Sequence, residues 1–251
     1  MYEQIEQLWT EDAMGYDNLV KRQLANVKDV RHWQTELKAV LGDKSSLNVL
    51  DVGCGPGFFT IMLSRLGHHV ISIDGAEGMV KCAGRNFAAE GIDVNLYCGD
   101  AVALNKEKQN SLDAIVSRDV VWTLYDPRKA YERWMEVLKP GGLVVVYDGN
   151  YRRDVHSYKT SIWKAMSNIV IFFTEWRIPK KAEHHDKDIF TELPSVTVER
   201  PAMDRDILEQ LGYEIVTIED DSYRNSFKKM EYWKYGYQGK KFKIVARKPK
   251  L

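Results

Sequence analysis

Three glycines at alternate positions, Gly53, Gly55 and Gly57, follow the apolar run Val49-Leu50-Asp51-Val52, and a helix that reads Phe59 to Leu66 comes after them. Glycine at this spacing lets the backbone take positive φ and approach a ligand closely, while a helix N-terminus presents free N–H groups, so the pattern reads as a nucleotide-binding turn. The spacing is G-x-G-x-G; the dinucleotide fingerprint is G-x-G-x-x-G. A second apolar strand, His69 to Ile73, stops on Asp74, where a carboxylate is placed to take both hydroxyls of a ribose.

Asp51-x-Gly53-x-Gly55-x-Gly57, Asp74 and the later Cys98-Gly99-Asp100-Ala101 together resemble the cofactor site of class I S-adenosylmethionine-dependent methyltransferases, and most closely the small-molecule branch that includes quinone-biosynthesis enzymes. The resemblance covers about residues 40–150, more weakly the flanks. It implies S-adenosylmethionine as cofactor. The turn with Asp51, Gly53, Cys54, Gly55 and Gly57 would accommodate its methionine part, Asp74 and Gly75 its ribose, and Gly99, Asp100 and Ala101 its adenine edge. Ser117 and Arg118, after the fourth strand, complete the implied cofactor set. Arg118 has two alternatives, a substrate carboxylate or its neighbour Asp119. The stretch Trp9 to Asp17 resembles the aromatic-acidic lid of many small-molecule methyltransferases, with Tyr16 against the cofactor; packing of that tyrosine onto the sheet is the alternative.

A methyl group on a sulfonium is already activated, so transfer depends mainly on alignment and desolvation, and a base is optional. For an acceptor that must lose a proton, His156 is the best-placed candidate catalytic residue, followed by His184 and His185. His184 and His185 with Glu183 and Asp186 lack a third ligand at helical spacing, so no metal is expected. The stretch after the fourth strand, Ser117-Arg118-Asp119-Val120-Val121-Trp122, lacks the Asn/Asp-Pro-Pro-Tyr motif of amide and nucleobase methyltransferases, which favours a small diffusible acceptor. Trp122, Tyr151, Trp163, Trp176, His184 and His185 are the candidate substrate pocket, an aromatic lining suited to a flat, apolar or cationic acceptor. Two other functions fit the same residues: a non-catalytic S-adenosylmethionine-binding protein, and, against the glycine spacing, a nicotinamide-dependent oxidoreductase.

Positioning these residues takes an alternation of strand and helix, hence right-handed crossovers and a parallel sheet. The sequence predicts an α/β, doubly wound, Rossmann-like sheet of seven strands, the last antiparallel. Strands are expected at 47–52, 69–73, 94–98, 112–117 and 142–148, then Tyr213 to Ile218 and Lys241 to Ala246. Pro140-Gly141-Gly142 is expected to break the chain before the fifth strand. Residues 1–42 read as a helical lid, 43–150 as the cofactor-binding core, 151–200 as an insertion capping the substrate, and 201–251 as the rest of the sheet, all in a single methyltransferase domain. Ligands of such sheets bind outside the carboxyl ends of the strands.

At 251 residues, 44% hydrophobic and 29% charged, the chain has the composition of an ordinary globule with a full core. An acidic, polar start and the absence of any run of 18 apolar residues predict a cytoplasmic protein without membrane insertion. Three cysteines without C-x-x-C spacing indicate neither disulfides nor zinc. The net charge is zero, but residues 224–251 hold ten Lys or Arg against one acid, Glu231. Nucleic-acid binding is not expected from them, because Lys240 to Arg247 alternates as a half-exposed strand, its lysines reading as protection of a sheet margin. The partner is a small-molecule methyl acceptor, with the chain a monomer or a homodimer.

Overall fold

The computed structural model describes residues 2–44, 46–151, 157–176 and 189–250. Two helices precede the sheet, α1 (Tyr2–Ala25) and α2 (Val27–Leu41). The break between them is local chemistry: the Asn26 side chain accepts from Lys28 N at 3.1 Å and caps α2. The α2 core face is Trp33, Leu37 and Leu41, while Val27 is exposed. The alternating core follows as β1 (Asn48–Val52), α3 (Phe58–Arg65), β2 (His69–Asp74), α4 (Glu77–Glu90), β3 (Asn95–Cys98), β4 (Leu112–Arg118), α5 (Pro127–Val137) and β5 (Leu138–Gly149). After it come α6 (Tyr158–Glu175), the helix Ala202–Gln210, β6 (Glu214–Asp220), the helix Met230–Tyr235 and β7 (Lys241–Arg247).

One sheet holds all seven strands in the order β3-β2-β1-β4-β5-β7-β6, with β7 antiparallel to both neighbours and the other pairings parallel. This is the doubly wound fold the sequence predicts. Parallel strands covered on both faces must be apolar on both, and β1 and β4 are. Leu50 and Ile115 enter a cluster with Trp134 and Leu138, whereas Val49 and Val116 enter another with Trp33, Phe58 and Phe59. The order reverses between β1 and β4, which opens the crevice at their carboxyl ends.

Two local expectations need correction. Pro140-Gly141-Gly142 lies inside β5, where pairing jumps from Leu112 with Leu138 to Ala114 with Leu143 and Gly141 takes φ +80°. The turn residues make a bulge rather than a chain break. The lysines of β7 do not protect a margin either, since β7 lies between β5 and β6. Lys243 instead pairs with Glu36 at 2.9 Å and with Glu219 at 3.3 Å, so its charge is answered from α2 and from the edge strand β6.

Candidate functional site

The glycine turn joins β1 to α3 and is tied to the end of β2. Gly53 N and Cys54 N both donate to the Ile73 carbonyl, at 2.8 and 3.0 Å. The Asp74 carboxylate then accepts from Gly55 N at 2.8 Å and from Ala76 N at 2.9 Å, and Gly99 N donates to the Asp74 carbonyl. The Cys98 thiol lies 3.3 Å from the Gly75 carbonyl. Asp74, Gly75, Gly99 and Asp100 therefore meet the turn at one place.

All three glycines of the turn have positive φ, +67°, +52° and +96° in order, but they do different work. A Cβ on Gly53 would collide with Val120, and one on Gly57 with the Phe87 ring, so these two permit internal packing. A Cβ on Gly55 would meet no atom within 4 Å. Gly55 therefore borders open space directly beside the Asp74 carboxylate, at the N-terminal end of α3.

Asp51 is buried and accepts from Thr60 Oγ1 at 2.6 Å; that hydroxyl also meets Ser72 Oγ at 2.8 Å. Burial pushes its carboxyl up to about 6, with the Thr60 bond and the Arg118 charge opposing. Asp74 is likewise pushed up to about 6 by burial, its two backbone donors working the other way. Burial also raises the buried Cys54 thiol well above its ordinary value, which leaves it inert as a nucleophile. Asp100 accepts from Val102 N and from the Tyr125 hydroxyl, both at 2.8 Å, and the Ala101 carbonyl accepts from Trp134 Nε1. Ser117 is buried and its hydroxyl has no hydrogen-bond partner.

The helix α1 is clasped to this end. Asp17, fully buried, accepts from Asn86 Nδ2 at 2.8 Å, and the same amide donates to the Pro56 carbonyl inside the glycine turn. Composition does not point to this clasp, because the three residues lie on α1, the turn and α4. Tyr16 is 40% exposed and meets Trp9 edge-on.

At the ends of β4, β5 and β7 the crevice is ionic and aromatic. Asp119 takes φ +59° and accepts from Arg224 Nη1 at 2.7 Å and from the Tyr151 hydroxyl. Burial alone would raise its carboxyl; Arg224, Lys241 and Arg118 outweigh that and bring it down to about 2. The Lys241 ammonium sits 3.4 Å from the Tyr151 ring centre, and burial pulls it down to about 8, against the pull of Asp119. Arg118 is 3.9 Å from Asp119 and lies over the rings of Phe58 and Phe59, 4.9 and 4.7 Å from their centres. The neighbour Asp119 therefore belongs first to Arg224, which the sequence reading had not singled out. Beneath them Arg200, fully buried, bonds Asp148 at 2.8 Å and Asp204 at 2.7 and 2.9 Å, and Asp148 also accepts from Trp122 N.

The proposed pocket residues divide. Trp122 and Tyr151 are brought together, 5.1 Å apart, and Trp122 stacks on Phe190 with Trp9 against both. Trp163 packs on Tyr232 of the helix Met230–Tyr235, and Trp176 is 83% exposed beyond α6, so neither joins that cluster. His156, His184 and His185 lie outside the described residues. Among the described residues no cluster of His, Cys, Asp and Glu could hold a metal, and no helix is long and apolar enough to cross a membrane.

Residues 50–146 match a family described as a methyltransferase domain. The ubiquinone biosynthesis O-methyltransferase of Caulobacter vibrioides is 32% identical over 100 residues, 40% of this chain and 40% of that protein, so the chain spans under half the length of this curated relative. Among solved structures, a [4+2]-cyclase aligns over 89% of this chain and 82% of its own with a TM-score of 0.61 and 18% identity. A methyltransferase from Aquifex aeolicus aligns over 92% and 98% with a TM-score of 0.57 and 20% identity, a likeness of fold. The glycine turn, the acid closing β2 and the reversal of strand order all lie inside the segment that matches the methyltransferase-domain family.

Proposed function

We propose that the chain is an enzyme that moves a methyl group from S-adenosylmethionine to a small-molecule acceptor. The observation that carries the reading is the open space in front of Gly55, bordered by the Asp74 carboxylate and the α3 N-terminus. That cradle fits the cofactor: Gly53 to Gly57 would face its methionine part, Asp74 and Gly75 its ribose, and Gly99 to Ala101 its adenine. Arg118, at the end of β4, supplies a cation for a carboxylate. Bound there, the cofactor supplies a sulfonium-activated methyl group. The chain then has to align the acceptor in line and keep water out.

The acceptor would lie at the ends of β4 and β5, against Trp122 and Tyr151. The Caulobacter relative is a ubiquinone biosynthesis O-methyltransferase. Together with the aromatic wall, it favours a hydroxyl on a flat, largely apolar acceptor. The insertion 151–200 would cap this side and α1 the cofactor side, with His156 a candidate base. Titration calorimetry with S-adenosylmethionine and S-adenosylhomocysteine tests the cradle. Incubation of enzyme, isotopically labelled cofactor and metabolite extract tests the transfer, with a gain of one labelled methyl expected on some metabolite. Tight binding with no labelled product would identify a non-catalytic cofactor-binding protein, and absence of binding would sink the reading.

A further inference from the structure

The described part of α6 leaves an apolar face in water. Tyr158, Ile162, Met166, Ile169, Phe173 and Trp176 are spaced i, i+4, i+8, i+11, i+15 and i+18, which puts them along one face of the helix and its end. All six are exposed, Tyr158 by 80%, Phe173 by 66% and Trp176 by 83%. The opposite face is used internally: Ser167 is buried with its hydroxyl bonded to the Lys234 carbonyl, Ile171 is buried, and Trp163 packs on Tyr232. The adjoining segment leaves Phe227, Met230 and Trp233 exposed as well. An ordinary soluble surface scatters such side chains singly; a contiguous row marks a contact surface.

Charge says which contact. Residues 157–176 and 226–240 hold six lysines against two acids, Glu175 and Glu231; Lys234 is buried and Lys229 lies over the Tyr223 ring, while Lys159, Lys164, Lys228 and Lys240 are exposed. Lys159 is exposed at the border of the apolar row of α6, and Lys164 is exposed on the side of the helix away from it. A helix with an apolar stripe rich in aromatics, bordered by lysine, is suited to lie in the plane of an anionic lipid surface, rings in the headgroup and acyl boundary and ammonium groups on phosphates. A second copy of the chain would instead bring these lysines against one another. We propose that α6 is a peripheral membrane-docking helix for anionic lipid bilayers, holding the protein at the surface without spanning it. This goes beyond the methyl-transfer reading and does not depend on it.

Vesicle co-sedimentation of the full chain tests the proposal, with phosphatidylcholine vesicles compared with vesicles containing about one quarter phosphatidylglycerol. Binding to the anionic vesicles is expected, weakened by added salt. The double variant Phe173→Ser/Trp176→Ser should abolish it. Lys159→Gln should weaken it by about fivefold, the worth of one basic residue near such a surface, and Lys164→Gln, on the side away from the row, by less. These positions are exposed, so circular dichroism and cofactor affinity should be unchanged and loss of fold is told apart from loss of docking. No partition onto anionic vesicles, or partition that the double variant leaves intact, overturns the proposal. So does a dimer in light scattering that the double variant converts to monomer, since the face would then be a self-interface.

Discussion

Around β1 to β3 the glycine turn itself is tied by short-range backbone contacts, with Gly55 N to Asp74 spanning 19 residues and Ala76 N to Asp74 two, and only the clasp of α1 through Asp17 and Asn86 reaches further, across 69. Around β4, β5 and β7 the crevice is closed by side chains that folding collects from afar, with Arg224 reaching Asp119 across 105 residues and Arg200 reaching Asp148 across 52. The first side is backbone geometry with two carboxylates that burial pushes up to about 6. The second is a set of ion pairs, those of Arg200 fully buried and that of Arg224 with Asp119 only partly; in the buried ones each partner is needed because the other has lost its water. One side borders open space at Gly55 and the other holds its own charges in place.

The largest effect should come from the ionic side. Arg200→Met leaves Asp148 and Asp204 buried without their cation and should cost about 3–5 kcal/mol in stability, read by urea denaturation. A cost below about 1 kcal/mol would erase the distinction between the two sides. On the glycine side, the turn itself can be split. Gly57→Val drives a side chain into Phe87 and should destabilise the fold, whereas Gly55→Val should fold, with roughly 1–2 kcal/mol of left-handed strain. Yet Gly55→Val should bind cofactor at least about a hundredfold more weakly, about 2.7 kcal/mol, by calorimetry. Normal affinity in a folded Gly55 variant would remove the turn from the site.

Next in size, Asp74→Ala should weaken cofactor binding by ~1.5–3 kcal/mol through loss of a charge-assisted bond. The pH dependence follows in sign. Asp74 ionises near 6 in the folded chain and near 3.8 unfolded, so its burial penalty is absent below about pH 4, grows as pH rises through about 6, and stays above it. Cofactor affinity runs the other way, falling as the carboxylate is protonated below about pH 6. Asp74→Asn should flatten that part of the affinity profile; an unchanged profile would assign it to another group, Asp51 first. The smallest effect is expected for Lys241→Met, within about 1 kcal/mol at pH 7, because a buried charge and its attraction to Asp119 leave together. Lys241 ionises near 8 folded against 10.5 unfolded, so its cost is full below 8 and disappears by 10.5. Wild-type stability should rise over that interval, and the variant should lose the rise.

How much was legible follows the same division. The turn, the acid closing β2 and all seven strands are patterns of neighbouring residues, and the structure holds each within a few positions of its expected place. Two misread features are those whose meaning depends on what lies alongside. Pro140-Gly141-Gly142 has the composition of a turn and becomes a bulge because β4 and β7 pair on either side of it. Lys241 and Lys243 alternate as on an exposed margin and sit in an interior strand because Glu36, Glu219 and Asp119 answer their charge. Likewise Trp163, Met166, Ile169, Val170 and Phe173 read in the sequence as one helical face that could lie over the crevice, but Trp163 packs on Tyr232 while Met166, Ile169 and Phe173 are exposed.

The sequence by itself determined the order of strands and helices, the glycine turn and the acid beside it, because hydrophobic period, glycine spacing and capping act within a few residues. Only the tertiary structure decided which glycine of the turn borders open space, that Arg224 rather than Arg118 is the close partner of Asp119, that Asn86 clasps α1 to the turn, and that α6 turns its aromatic row to water. Each of these depends on side chains from distant segments sharing desolvated space, and the energy of a buried charge or a filled contact has no counterpart in local spacing.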